Sequence, residues 1–450
     1  MKRKLHPLDL LNTVFLACVS TFFILWPGTE GYVTIADGKF TAFCWLFGGY
    51  ILCTLLLGLE QCLIGTAKFP APSAIWKKSS GAQKFVVLYW LLTVISTLLS
   101  PYRNEALLGM SRHEGLLTIS IYCGTFLCLS ATARPKRWLL YLFGLTMTLE
   151  AVLCLIQMQG YNPFGLFPEG LSYFDANKSY AGIYLGTIGN ADLLGALLCL
   201  AIPIFWVGIL RLKGILRFSL LLPLILCAMV LVQVNVQAAL VGVFAGGLLS
   251  LPVVLPKYKK QTVLAVLVIL LGGLLLALFR RSTGGTLYEL GQVLRGNWDD
   301  KFGNGRIYIW KTVLGALPNR LFFGTGPDTM AAAGIVGFAW DNRELGMTLS
   351  TMIDTAHNEY LNVAYHQGIL ALLAWLAALG CSAWKWIRHK SAAAAILGSA
   401  VLCYCIQAFF GLSMSPTASL MWVIWGLLEG DCKPIEQTLS PTKKMKGRKK

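Results

Sequence analysis

Apolar residues gather in twelve long runs separated by polar segments. The runs are Leu10–Trp26, Phe40–Leu59, Phe85–Leu99, Gly115–Leu129, Trp138–Met158 and Leu193–Leu210. The rest are Phe218–Val234, Ala238–Leu255, Val263–Phe279, Leu361–Trp384, Ala392–Leu412 and Ala418–Leu428. Most approach the length a helix needs to cross hydrocarbon, and the short last one borrows from its flanks. Backbone in hydrocarbon must satisfy its own hydrogen bonds, so each run predicts a helix. The pattern therefore predicts an all-α, polytopic transmembrane bundle of about 12 spans. No internal repeat is visible.

The segments between runs differ in charge. The one before the first run and those after every even run are basic, and together they hold 26 of the 38 Lys and Arg residues. The other cations are spread over longer segments with acids mixed in. Positive loops stay inside, so both termini are expected in the cytoplasm, with the bundle in the cytoplasmic (inner) membrane. Met1-Lys2-Arg3-Lys4 and the first run lack a small-residue cleavage site, which predicts an uncleaved helix. The expected organisation is spans 1–9 over residues 1–279, an extracytoplasmic loop over 280–356, spans 10–12 over 357–430 and a basic cytoplasmic tail over 431–450. Long structured loops on a rigid scaffold tend to carry function.

Composition agrees with this pattern. The chain is 56% hydrophobic and 13% charged, against about 25% charged for a soluble domain. The net charge of +17 would suggest nucleic acid in a soluble protein. Here it reports orientation, with membrane lipids as partners and no nucleic acid. Nearly all of the 13 cysteines lie in apolar runs without metal-type spacing, as small packing residues do. No metal site or cofactor is expected.

Ionisable residues at the expected outer face form four clusters, and such residues are costly in a membrane unless used. Arg112, His113 and Glu114 open the fourth run; they can bind a ligand or simply flank a helix at the interface. Gly186–Asp192 opens the sixth, where Asn190 or Asp192 can cap a helix. In the large loop Ile307, Trp310, Leu314 and Leu317 recur at helical spacing. They predict an amphipathic helix on the membrane surface with Arg306 at its start facing headgroups. Gly324–Asp328 follows as a tight turn. The fourth cluster surrounds His357, with Asp354, Asn358 and Glu359 beside it, where the loop re-enters the membrane. A histidine there can act as base or proton donor, or can be an interfacial cap. An arginine offers a planar, permanently charged fork for phosphate oxygens.

These pieces together resemble the O-antigen ligase and Wzy-type O-antigen polymerase superfamily. The matching stretches are SRHEGLL at 111–117, GTIGNADLLG at 186–195, GRIYIWKTVL at 305–314, GTGPD at 324–328 and HNEYLNVAYHQG at 357–368. The resemblance covers most of the chain from about Glu105. It implies a metal-independent membrane glycosyltransferase that takes a glycan from an undecaprenyl-diphosphate carrier. The glycan passes to an acceptor hydroxyl on lipid, glycan or protein, in cell-envelope polysaccharide assembly. Carried over, Arg306 binds the diphosphate and His357 activates the hydroxyl or steadies the leaving group. Arg112, His113, Glu114, Asn190, Gln237, Trp310, Asp354, Asn358 and Glu359 are the candidate substrate-binding residues. One departure stands out: relatives often carry Ser-Arg-Gly where this chain reads Val236-Gln237-Ala238, so Gln237 replaces an expected arginine. The rival class is a lipid-linked glycan flippase or transporter. Transporters place ionisable groups at the midplane on broken helices, and here only Glu150 and His366 are clear candidates.

Overall fold

The computed structural model describes residues 7–65, 71–166, 185–279, 284–342 and 347–432, with a two-residue ribbon pairing Phe174–Asp175 and Lys178–Ser179. The outermost N-terminal residues and the basic tail after Cys432 lie outside the described residues. Nine helices among the described residues are long and apolar enough to cross a membrane. They include α1 (Pro7–Ser20, continued by Phe22–Leu25), α2 (Ile35–Leu63) and α3 (Gly81–Leu99). Then α4 (Leu116–Thr132) precedes α5 (Arg137–Met158) and α6 (Ala191–Arg211). Next are α7 (Leu221–Val234), α8 (Gln237–Val254) and α9 (Lys259–Phe279). The loop carries α10 (Thr286–Leu294), α11 (Arg306–Ala316) and an antiparallel hairpin of β1 (Val336–Asn342) and β2 (Met347–Met352). It hands over to α12 (Glu359–His366), α13 (Ile369–Arg388), α14 (Ala392–Gln407) and α15 (Ser415–Asp431). Helices α4, α14 and α15 have 17, 16 and 17 residues and occupy the remaining expected runs.

The bundle is built around α6, whose apolar window is 83% buried. It packs against α7, α8 and α14, while α13 packs on α3 and α15 on α4. Small residues allow close approach: a Cβ on Gly246 of α8 would run into the backbone of Cys403 in α14. Ends flanked by basic segments gather at one end of the bundle. There Arg211 donates to the Lys390 carbonyl at 2.8 Å and the Val254 carbonyl at 3.3 Å, and Lys136 pairs with Asp9 at 2.9 Å. The segments holding Arg112, Asn190, Arg306 and His357 precede or follow the opposite helix ends.

Two features depart from the hydropathy pattern. The tenth expected span is broken: α12 stops after one or two turns and the chain reverses through Gln367 and Gly368, the latter at φ 90°. The second span begins earlier than its apolar run because it absorbs Lys39, only 1% exposed. Its ammonium donates to the Phe23 and Ile24 carbonyls at 2.7 and 2.6 Å, the open C-terminal end of the first span. Nearby, fully buried Glu150 accepts from the Thr187 amide at 2.9 Å and hydroxyl at 2.7 Å. A buried charge survives only when it is paired or hydrogen-bonded in this way, so Glu150 anchors the 186–189 turn to the bundle.

The segment 321–328 closes the break between α12 and α13. Thr325 and Gly326 amides donate to the Tyr365 and His366 carbonyls at 3.1 and 2.8 Å, and the Ile369 amide donates to Leu321 at 2.8 Å. Gly324 (φ 67°) leaves no room here: an added Cβ would meet the His366 carbonyl. Gly324→Ala is therefore expected to destabilise the protein by about 1–3 kcal/mol. Gly272→Ala, in open space within α9, is expected to cost nothing and to gain about 0.5–1 kcal/mol. Thermal unfolding in detergent checks both; equal midpoints for Gly324→Ala and wild type would contradict the close packing.

Candidate functional site

The turn that carries Arg112 is shaped by an acid 216 residues away in sequence. Asp328, 4% exposed, accepts from the backbone amides of Ser111, Arg112 and Glu114 at 3.1, 2.8 and 3.4 Å. Its own carbonyl accepts from Met110 at 3.2 Å. Burial pushes the Asp328 carboxyl pKa up, and the three amides and the Arg112 charge oppose that shift. The arginine side chain then reaches across to Asp354, at 2.8 Å. One edge of the guanidinium also faces the Met414 sulfur at 3.7 Å.

His357 is held by its neighbours in the chain. The Ala356 amide donates to Asn362 Oδ1 at 2.8 Å, and the Ala356 carbonyl accepts from Trp310 Nε1 at 2.9 Å. Both polar groups of the residue before His357 are thus fixed. His357 itself adopts φ 47°, a left-handed conformation costing roughly 1–2 kcal/mol for a residue with a side chain. Asn358 follows as the N-cap of α12, its side chain accepting from the Leu361 amide at 3.1 Å. Burial lowers the His357 pKa, and the charges of Arg306 and Arg112 lower it further, against Asp192 and Asp354. The imidazole is therefore neutral near neutral pH, with Nδ1 buried and lacking a hydrogen-bond partner among the described residues.

Helix α11 brings Arg306 to the same place. Gly305 enters it at φ 82°. The helix is pinned by Ile309 and Val313 in a small core with Met330, Ile353, Ala356 and Tyr365. This corrects the expected stripe: Ile307 is buried as anticipated, but Leu314 is 54% exposed and Trp310 turns toward the loop and Phe409. Arg306 lies within electrostatic reach of His357. Its Nη1 donates to the Gly303 carbonyl at 3.0 Å. Its Nε is buried without a partner among the described residues, as is that of Arg112.

The structure thus brings Arg112, Arg306, Trp310, Asp354, His357 and Asn358 together, with Glu114 and Glu359 just beneath. Three other candidates are engaged in local contacts. His113 stacks on Phe40 with ring centroids 4.3 Å apart and bonds Asp37 at 2.8 Å. Asn190 caps α6, accepting from the Asp192 and Leu193 amides at 2.9 and 3.1 Å. Gln237 is exposed at the start of α8, bonded to Asn235 at 3.1 Å and Thr286 at 3.2 Å. Asp328 and Asn362, which hold the site in shape, were not among the candidates. Asp328 reads in sequence as part of a turn, and Asn362 as one polar residue in an apolar run.

Residues 222–376 match the family model described as O-Antigen ligase. That stretch is similar to the O-antigen ligase family, over about a third of the chain. The matched stretch runs from α7 into α13 and contains Arg306, Trp310, Asp354 and His357. Arg112 and Glu114, which join these residues in space, lie outside it. No curated protein matches the chain.

Arg306→Gln removes a positive charge that disfavours imidazolium. The His357 pKa is therefore expected to rise toward the ordinary imidazole range. A titration followed by NMR on isotope-labelled histidine checks the sign; a fall or no change would place the two side chains out of electrostatic reach.

Proposed function

We propose that this chain transfers a glycan from an undecaprenyl-diphosphate carrier to an acceptor hydroxyl at the outer face of the cytoplasmic membrane. The acceptor is a lipid, glycan or protein, and the product enters cell-envelope polysaccharide. In this reading α4, α14 and α15 also cross the bilayer, giving twelve spans, and both termini are cytoplasmic. Basic ends gathered opposite the Arg112–Arg306–His357 cluster favour that orientation.

One observation carries the reading: two guanidinium groups, each with a buried Nε that has no partner among the described residues, lie within electrostatic reach of a neutral histidine. Unsatisfied buried donors call for an anionic partner, and the diphosphate supplies oxygens in the geometry arginine prefers. Arg306 and Arg112 hold the diphosphate. Arg112 supplies the second positive charge that Gln237 lacks. The acceptor hydroxyl loses its proton to His357 and attacks the anomeric carbon in line. The sugar–phosphate bond breaks, and the electron pair leaves on the diphosphate. Guanidinium groups preorganised in a site of low dielectric stabilise that developing charge. Asp354 holds Arg112 in place, and Asn358 fixes the helix start beside His357. Energy comes from the activated carrier.

Purified protein reconstituted with a lipid-linked glycan and acceptor tests the proposal. His357→Ala is expected to lower the rate about 10²–10⁴-fold, and Arg306→Ala by a similar order, at unchanged thermal midpoint. Full transfer by both variants would remove the assigned roles. Movement of the glycan lipid across liposomes without transfer would replace the enzyme by a flippase.

A further inference from the structure

Beneath the Arg112–Asp354 pair the bundle keeps a polar chamber of about 50 Å³. That space admits roughly three or four waters. Four carboxyl groups line it: Asp328 and Asp354 from the loops, Glu114 from the Arg112 turn, and Glu359 in the first turn of α12. Glu114 accepts from the Tyr122 hydroxyl at 2.9 Å. Two further polar side chains line the chamber, each with one buried atom that has no partner among the described residues. His366 (6% exposed) leaves Nε2 unpartnered, and Gln367 (5% exposed) leaves Oε1 unpartnered. Buried polar atoms are seldom left so unless water fills the gap.

The charges around the two glutamates come from every side. Asp328, Arg112 and Asp354 face them from the loops above. Tyr89 of α3 and Tyr122 of α4 also line the chamber, and Tyr404 of α14 is within electrostatic reach of both carboxyls. The three tyrosines are neutral near neutral pH, and Asp354 is already matched by Arg112. Among the described residues lining the chamber, no separate cation is left over for the two glutamates.

We propose that the chamber holds a short chain of water and that Glu114 and Glu359 share one proton there, forming the relay that drains the proton taken by His357. The inference rests on the transferase reading above. The acceptor hydroxyl gives its proton to His357 as its oxygen bonds the anomeric carbon. Imidazolium passes a proton through water to the carboxylate of the pair, and the pair later returns it to bulk. No oxidant or further reactant is needed. Both glutamates act through His357 and water, so they are positioning and relay residues rather than catalytic ones. Two carboxyls in one site cannot both ionise freely. Burial pushes Glu359 up to about 7. Glu114 is raised well above the ordinary range by burial and then by the Glu359 charge.

The test is difference infrared spectroscopy on the full chain in lipid, without substrate, combined with pH–rate profiles. A protonated-carboxyl band present at neutral pH and lost in both Glu359→Gln and Glu114→Gln is expected. In transfer assays Glu359→Gln should lower kcat on the order of 10²-fold with KM unchanged and erase the limb near neutral pH. An active wild type without the band, or Gln variants with an unaltered profile, overturns the relay alone. A band in a protein that transfers no glycan overturns the transferase reading, and the relay with it.

Discussion

The site depends on one buried carboxylate. Asp328 gathers three backbone amides of the turn that leads into α4, and its segment also fills the break between α12 and α13. An acid accepting several amides in a dry place is held by charge-assisted hydrogen bonds, which are stronger than neutral ones. Remove it, and those amides become unsatisfied donors beside a membrane. Arg112 sits on this turn, Asp354 pairs with Arg112, and His357 follows three residues later. Each group is therefore located by the one before it, starting from position 328.

Helix positions were legible because the membrane demands long apolar segments and the chain supplies them. Every expected apolar run coincides with helix, and the basic helix ends meet as their alternation implied. The break at Gln367–Gly368 was hidden because Leu361–Trp384 is apolar enough to read as one span. Only the approach of segment 321–328 explains why the helix stops there. The face of α11 was misjudged for a related reason. Periodicity reports that one side is apolar, whereas the burial of Ile309 and Val313 is decided by Met330, Ile353 and Ala356, which are distant in sequence.

The chemistry was legible only in part. Arg306 and His357 are recognisable from rare residue types in a polar loop, and the fold brings them together. His113 and Asn190 carry the same residue chemistry, yet the structure uses one to meet Asp37 and Phe40 and the other to cap α6. Sequence alone has no means of separating an imidazole that faces a site from one that closes a local contact. Tyr122, Asn362 and Gln367 went unnoticed because they stand among apolar neighbours. Their significance lies in what they face across the bundle.

The clamp on Ala356 carries a consequence for how the chain works. Trp310 and Asn362 grip the peptide preceding His357 from opposite sides, so the imidazole's anchor point is settled before any molecule arrives. Little reorganisation remains to be done when a reactant docks. That same rigidity ties the histidine to the indole of α11, so a shove on the loop helix carries directly to the ring. The loop helix and the bundle thus share one fixed point, the residue that precedes the histidine.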